Sequence, residues 1–198
     1  MRRNTRQNIL DAARKLFNEY GYNSVSLRDI ANDAGISKGN LTYHFSKKEE
    51  IMEALISEGK DTFPSGIPGT LEELDEAFLD MQQAVQQNLY FFLYHAQLAQ
   101  TSPKICQKQS ARYEEVQKKF QTAFHLLHSA GLLRDESFLG EYNHTIDLLH
   151  MSAIYWAPFS ELKKSVHTDP SEYRRHAWRT MHPLLTEKGR IHFYEAVL

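Results

Sequence analysis

The stretch GISKGNLTYHF, residues 35–45, decides how the chain folds and what it does. Gly35 can end one helix, Ile36 is an apolar plug, and Ser37 is a capping residue for the next. Leu41 and Phe45 stand one turn apart, so the spacing predicts a short helix over 38–44 pinned at those two positions. At about 100° per residue from Leu41, Gly39 and Tyr43 point away from the core, with Asn40 and Thr42 flanking them. A helix facing only water gains nothing from that choice of small and hydrogen-bonding residues, so this face is expected to meet a partner.

The sequence upstream supplies the support. Ile9, Ala12, Ala13, Leu16, Phe17 and Tyr20 recur at three and four, giving one apolar stripe along a first helix that Gly21 stops. Ser26 with Asp29 reads as a capping box opening a second, short helix buried through Leu27, Ile30, Ala31 and Ala34. Two short helices joined by a tight glycine turn make a helix-turn-helix, whose second member can enter a DNA major groove. Charge agrees. Residues 1–48 hold nine Lys or Arg against four acids, a net of +5, while the remainder carries −7. The front is thus attracted to a polyanion that the rest would repel.

These residues carry a family resemblance. The segment ILDAARKLFNEYGYNSVSLRDIANDAGISKGNLTYHFSKKEEIMEAL resembles the N-terminal domain of the tetracycline-repressor (TetR) family of bacterial transcription regulators. The AA-x-x-LF helix, G-Y-x-x-V-S, D-I-A-x-x-A-G-I-S-K-G, Y-H-F and K-K-E-E-I stand in the family's order without insertion. One position departs: Thr42 replaces the family's usual tyrosine, which bears on a phosphate contact and not on the fold. The resemblance implies that Arg28, Lys38, Asn40, Thr42, Tyr43 and His44 lie at or near DNA. Their chemistry suits it. Arg28 can pair with guanine, Asn40 with an adenine edge or phosphate, and Thr42 can offer a methyl to thymine. Tyr43, Lys38 and Lys48 suit backbone oxygens, and Gly39 permits close approach. Ser26 and Ser37, as caps, set helix N-terminal amides where phosphates can bind. His44, beside Phe45, is either partly packed or part of that surface.

Ser46 and Glu49 form a second S-x-x-E box opening a fourth helix through Ile51, Met52, Leu55 and Ile56. FPSGIPG, residues 63–69, cannot continue it. The expected division is a DNA-binding domain over 1–48, a connector helix over 49–62 and a larger helical domain over 63–198. Helices are predicted over 70–87, 88–100, 102–131, 137–157 and 169 to near the end. The fold class is therefore all-α: a three-helix DNA-binding head followed by a helical ligand-binding and dimerisation domain. In the family the last two long helices pair across a twofold axis. Here that implies 137–160 and 169–198, containing Ile146, Leu149, Ala153, Trp178, Met181, Leu184 and Leu185, all of which have a core alternative.

Tyr90, Phe91, Tyr94, His95, Tyr113, Phe120, Phe124, Trp156 and Phe159 join rings to polar tips, the mixture found around bound aromatic or amphipathic molecules. Packing is their competing role. His125 and His128 share a helix face, but no further ligand has metal spacing, so no metal or cofactor is expected. Cys106 is alone and reads as a structural thiol. No phosphate loop, nucleophile elbow or zinc-protease helix is visible, so no enzyme is expected. Every long run contains charges, which argues against a membrane and for the cytoplasm. The function expected is a ligand-responsive homodimeric repressor that releases a palindromic operator when a small molecule binds. The alternative is a helical interaction scaffold that has lost DNA binding.

Overall fold

Ser26 and Ser37 cap the starts of the two short helices predicted in the head, satisfying free amides there. The computed structural model describes residues 5–58, 66–162 and 170–197. Helix α1, Thr5–Tyr20, buries Ile9, Leu10, Ala12, Ala13, Leu16 and Phe17. Its stripe ends at Phe17, because Tyr20 has turned 57% into solvent by the last turn. Gly21, with φ +79°, stops the helix in the left-handed region. Helix α2, Leu27–Asp33, carries the complete Ser26–Asp29 capping box, and α3, Lys38–His44, is capped by Ser37. Helix α4 is Lys48–Glu58.

The α4 start corrects one expectation. The Ser46 amide and hydroxyl donate to Glu50, at 2.7 and 2.8 Å, rather than to Glu49. With Lys48 as the first helical residue, the third position that can reach back is Glu50.

Beyond the break come α5 (Leu71–Gln87), α6 (Leu89–Leu93), α7 (His95–Thr101) and α8 (Pro103–Ser129), followed by α9 (Glu141–Leu162), α10 (Pro170–Met181) and α11 (Glu187–Ala196). Of the predicted break at 63–69, residues 63–65 lie outside the described residues, as does Asp169 at the predicted start of the last helix. The helix expected over 88–100 divides at Tyr94, whose backbone sits at φ −109° and ψ 14°. Helix α9 starts later than expected and runs through Pro158. The single terminal helix is interrupted by a 3₁₀ turn at His182–Leu184, where Pro183 removes a donor and Thr186 caps anew.

The chain divides into two compact units, and the division differs from the linear one. The first takes α1–α4 together with residues 87–109, and the second takes α5 to residue 86 and the described chain from residue 110. Hydrophobic burial explains this: Ile51, Met52 and Leu55 of α4, and Tyr90, Leu98 and Ile105, belong to one core with Ile9, Phe17, Ile30 and Leu41. The expected boundary at 48 therefore falls inside this core, residues 59–62 of the expected connector lie outside the described residues, and residues 87–109, expected in the larger domain, pack with the head. Polar contacts reinforce it: Glu53 accepts from the Ser102 hydroxyl at 2.6 Å, and Lys108 donates to the Glu53 carbonyl at 3.3 Å. Cys106 is exposed, so it contributes no packing.

In the second unit, the α5 face of Leu71, Leu74, Ala77, Phe78 and Met81 is buried. The Trp178 ring of α10 meets Phe78 at 5.5 Å and Phe193 of α11 at 4.6 Å. Its indole N–H donates to Asp75 at 2.7 Å, and Arg174 pairs with the same carboxylate. After α8 the chain pairs with the segment before α11, the Thr186 amide donating to the Leu132 carbonyl at 3.0 Å. Gly189 packs so tightly there that a Cβ would lie 2.2 Å from that carbonyl oxygen.

The seven residues placed on the expected dimer face are all buried in the single chain, from 0% exposure at Met181 to 5% at Trp178. They are consumed by the protomer's own core and are not available to a second copy.

Candidate nucleic-acid interface

Helix α3 is held from behind. Leu41 is 0% and Phe45 5% exposed. The turn into α3 is closed by the Gly35 amide to Asn32 and the Ile36 amide to Ala31, at 3.1 and 3.0 Å, with Gly35 at φ +67°. The Arg6 guanidinium covers the Phe45 ring at 5.3 Å. On the other side, Lys38, Gly39, Asn40 and Tyr43 are exposed, Tyr43 to 85%. Gly39 and Tyr43 face outward with Asn40 beside them, as the spacing predicts, while Thr42, expected on the other flank, is half-buried.

The Ser37 hydroxyl accepts from the Asn40 amide at 3.1 Å. Ser26, also exposed, accepts from the Asp29 amide at 3.3 Å and donates its own hydroxyl and amide to the Asp29 carboxylate, which holds that acid below its ordinary pKa. Both serines are thus occupied as caps. Arg28 is exposed on α2. The Thr42 hydroxyl is turned back onto the Lys38 and Gly39 carbonyls, each at 3.1 Å, so the methyl is the group it can present outward. His44 is half-buried with its ring 5.3 Å from Tyr43.

Two positions are informative beyond their exposure. A Cβ built on Gly39 meets nothing nearer than the Ser37 hydroxyl at 3.9 Å, and no positive φ demands glycine there. The fold has no use for the missing side chain, although glycine costs helix stability. Lys48 is the reverse. Its ammonium donates to the Tyr22 and Val25 carbonyls at 2.6 and 2.8 Å and lies 4.3 Å from the Tyr22 ring centroid. Burial pushes its pKa down, and its main task is to bind α4 to the segment before α2.

The ring-bearing candidates do not form one set. Tyr90, Phe91, Tyr94 and His95 belong to the first unit. Tyr90 is 2% exposed, its ring 5.7 Å from Phe17 and its amide donating to Asn18 at 3.2 Å. Phe91 and Tyr94 pack on the same core, and His95 meets the Phe91 ring at 5.1 Å. The other five lie in the second unit. Phe120 and Phe124 are buried, 6.4 Å apart. Tyr113 donates to Asp147 at 2.8 Å and its ring meets His150 at 5.1 Å. Trp156 packs on Tyr173 and His176, at 5.7 and 5.2 Å, and Phe159 is 46% exposed.

Two features escape a reading by periodicity. Leu148, Met151, Tyr155, Phe159 and Leu162 of α9 are exposed at spacings of three and four, forming an apolar stripe opposite the buried one. Apolar residues on both faces blur the helical period that would have separated them. Gln82 is 1% exposed within the apolar stripe of α5. Its signal was a polar residue at the core spacing of Phe78 and Val85.

Comparison with known proteins extends these observations. The family described as bacterial regulatory proteins, tetR family, matches residues 9–55, and that described as TetR, bacterial transcriptional repressor, matches residues 49–193. The HTH-type transcriptional regulator UidR of Escherichia coli (strain K12) is 40% identical over 57 residues, which cover 29% of this chain and 29% of that protein. The match thus spans less than a third of that relative's length. A TetR-family transcriptional regulator from Marinobacter aquaeolei VT8 superposes with a TM-score of 0.84 at 21% identity, covering 98% of this chain and 97% of the other. SmeT, the repressor of the Stenotrophomonas maltophilia multidrug efflux pump SmeDEF, superposes at 0.66 with 17% identity, covering 93% and 92%; its structure is also known as a triclosan complex. At these identities the structural likenesses show a shared fold.

Proposed function

The chain belongs to the TetR family of DNA-binding bacterial transcriptional regulators, and from that premise we propose that it represses transcription as a homodimer and leaves its operator when a small molecule binds. The observation that carries the reading is α3: a helix pinned by Leu41 and Phe45 whose opposite face offers Lys38, Gly39, Asn40 and Tyr43 to a partner. In the groove, Asn40 reads a base edge or phosphate, the Thr42 methyl meets thymine, and Lys38 and Tyr43 hold the backbone. Arg28 reaches guanine from α2, and His44 lies at the margin. Ser26 and Ser37 act through the helix ends they cap, and Lys48 through the support it gives. Gly39 lets the backbone come close, which gives its unneeded lack of a side chain a use.

One such head makes too few contacts for specific affinity, so two are required, on half-sites related by the twofold axis of a palindromic operator. The exposed α9 stripe supplies a self-complementary face for that pairing. SmeT, a repressor of this fold that is also known as a triclosan complex, supports a response to a small molecule. Linkage then requires operator DNA to weaken effector binding by the same factor. Such a regulator works in the cytoplasm; among the described residues no helix is long and apolar enough to cross a membrane.

Retention of genomic DNA fragments by the purified protein tests the reading. Salt-sensitive retention that Asn40→Ala and Tyr43→Ala abolish, with melting temperature unchanged, is the expected result. Retention indifferent to both substitutions overturns the assignment of α3, and sequencing the retained fragments yields the operator.

A further inference from the structure

We infer that Thr42 makes α3 a reader of the pyrimidine C5 methyl group itself, so that the head takes thymine and 5-methylcytosine alike at one position of its half-site and disfavours the unmethylated pyrimidines there. This deepens the proposed docking of α3 on DNA and rests on it.

Three observations carry the inference. The Thr42 hydroxyl is committed to its own helix, 3.1 Å from both the Lys38 and the Gly39 carbonyl, which leaves the methyl as the free branch of the side chain. Gly39 precedes Thr42 by three residues and Tyr43 by four, so it neighbours both on the helix surface. The space at Gly39 is open: a Cβ there would meet nothing nearer than the Ser37 hydroxyl at 3.9 Å. Tyr43 stands 85% exposed beside that space, its ring in a T-shaped contact with His44 at 5.3 Å. The result is a shallow notch with a glycine floor, a methyl group on one side and an aromatic ring on the other.

Glycine and threonine are both poor helix formers, and a helix of seven residues has few others to compensate. No positive φ demands the glycine, and the threonine hydroxyl bonds only carbonyls of its own helix. Their use therefore lies outside the fold. A tyrosine at position 42 would carry a hydroxyl outward; threonine puts a group there that neither donates nor accepts.

In the major groove a base shows its donors and acceptors and, for thymine, the C5 methyl. The Thr42 methyl and the Tyr43 ring face cannot tell the thymine carbonyl from the cytosine amino group. They can tell a methyl from a hydrogen, because only the methyl brings apolar area out of water. 5-Methylcytosine holds its methyl on the same carbon as thymine. Cytosine-5 methylation would thus change which DNA sites the head occupies.

The test selects duplexes from a random-sequence pool with the full chain, then remakes the tightest with replacements that change one group at a time. Uracil for thymine removes the methyl alone, and 5-methylcytosine against cytosine, each paired with guanine, adds it alone. One position in each half-site is expected where uracil binds about fourfold more weakly than thymine, the effect of one buried methyl. At that position 5-methylcytosine should bind about fourfold better than cytosine. Thr42→Ser, which keeps the hydroxyl and drops the methyl, is expected to abolish both differences, and Thr42→Val, which keeps the methyl, to preserve them. Gly39→Ala, which fills the notch, should shrink both. A merely structural role for Thr42 would move overall affinity and leave the ratios in place in Thr42→Ser, and that result overturns the inference. So does a uracil ratio near one at every thymine, or 5-methylcytosine no better than cytosine. Selection of no duplex at all overturns the DNA-reading assignment of α3, whereas a selected duplex with flat ratios sinks this inference alone.

Discussion

Helices α3 and α9 each show solvent a face that water alone would not select, and they do so in opposite chemistries. α3 exposes Lys38, Gly39, Asn40 and Tyr43 around a helix pinned by one leucine and one phenylalanine. α9 exposes Leu148, Met151, Tyr155, Phe159 and Leu162 behind a mainly apolar buried side of Ile146, Leu149, Ala153, Trp156 and Ala157. A polar, hydrogen-bonding face suits a hydrated polyanion whose groups can be matched one by one. An apolar face suits another apolar face. On the function proposed above, the first surface meets DNA and the second a second copy of the chain.

The comparison breaks most visibly at α9. Met151→Asp is expected to convert the dimer to monomer in sedimentation and to weaken operator binding by about 100-fold or more, because the second head loses its tether. A monomeric variant with undiminished affinity would separate the two surfaces. At α3 the expected losses are smaller: Asn40→Ala or Tyr43→Ala should cost about tenfold or more in operator affinity while leaving oligomeric state and melting temperature in place.

Two glycines sharpen the contrast between a surface built for packing and one built for a partner. A Cβ at Gly189 would collide with the Leu132 carbonyl, so Gly189→Ala should destabilise the fold by about 1–3 kcal/mol in denaturant titration. Gly39 has open space, so Gly39→Ala should stabilise it by about 0.5 kcal/mol and yet weaken DNA retention. A stabilised variant that binds DNA normally would remove the argument from close approach.

The smallest effect expected is on the pH dependence of stability. Glu141 accepts two bonds from Arg134, at 2.9 and 2.7 Å, and one from the Ser137 amide, which together hold its carboxyl at about 2. A folded pKa below the unfolded one stabilises fully above the ordinary carboxylate range, and the contribution is lost as pH falls toward 2. Glu141→Gln should therefore lower the melting temperature at neutral pH and narrow its gap from the native protein below pH 4, measured by calorimetry.

Much of the head was legible because its signals are local. Ser26, Ser37, Gly21 and Gly35 each act within one turn of chain, and the apolar spacing of Leu41 and Phe45 fixes which side of α3 is left outside. The second unit was read less well for a physical reason. Its elements are decided by partners far away in sequence: Trp178 by Asp75 and Phe78, and Gly189 by Leu132. Where both faces of a helix are apolar, as in α9, periodicity cannot say which is inside. That is why residues expected to face a second copy proved to be core, and why the exposed stripe beside them was missed.

The seat of Lys48 bears on the ionic cost of binding. Of the cations described at the front of the chain, Arg6 lies over Phe45, Arg14 beside Asp11, Lys15 on Asp33 and Lys48 on two carbonyls, while Arg28, Lys38 and Lys47 are exposed. Only charges that displace condensed counterions from the duplex steepen the fall of affinity with added salt. Among the described residues, the slope against log salt concentration will accordingly follow Arg28, Lys38 and Lys47 more than Arg6 or Lys48, whose charges already have seats in the fold.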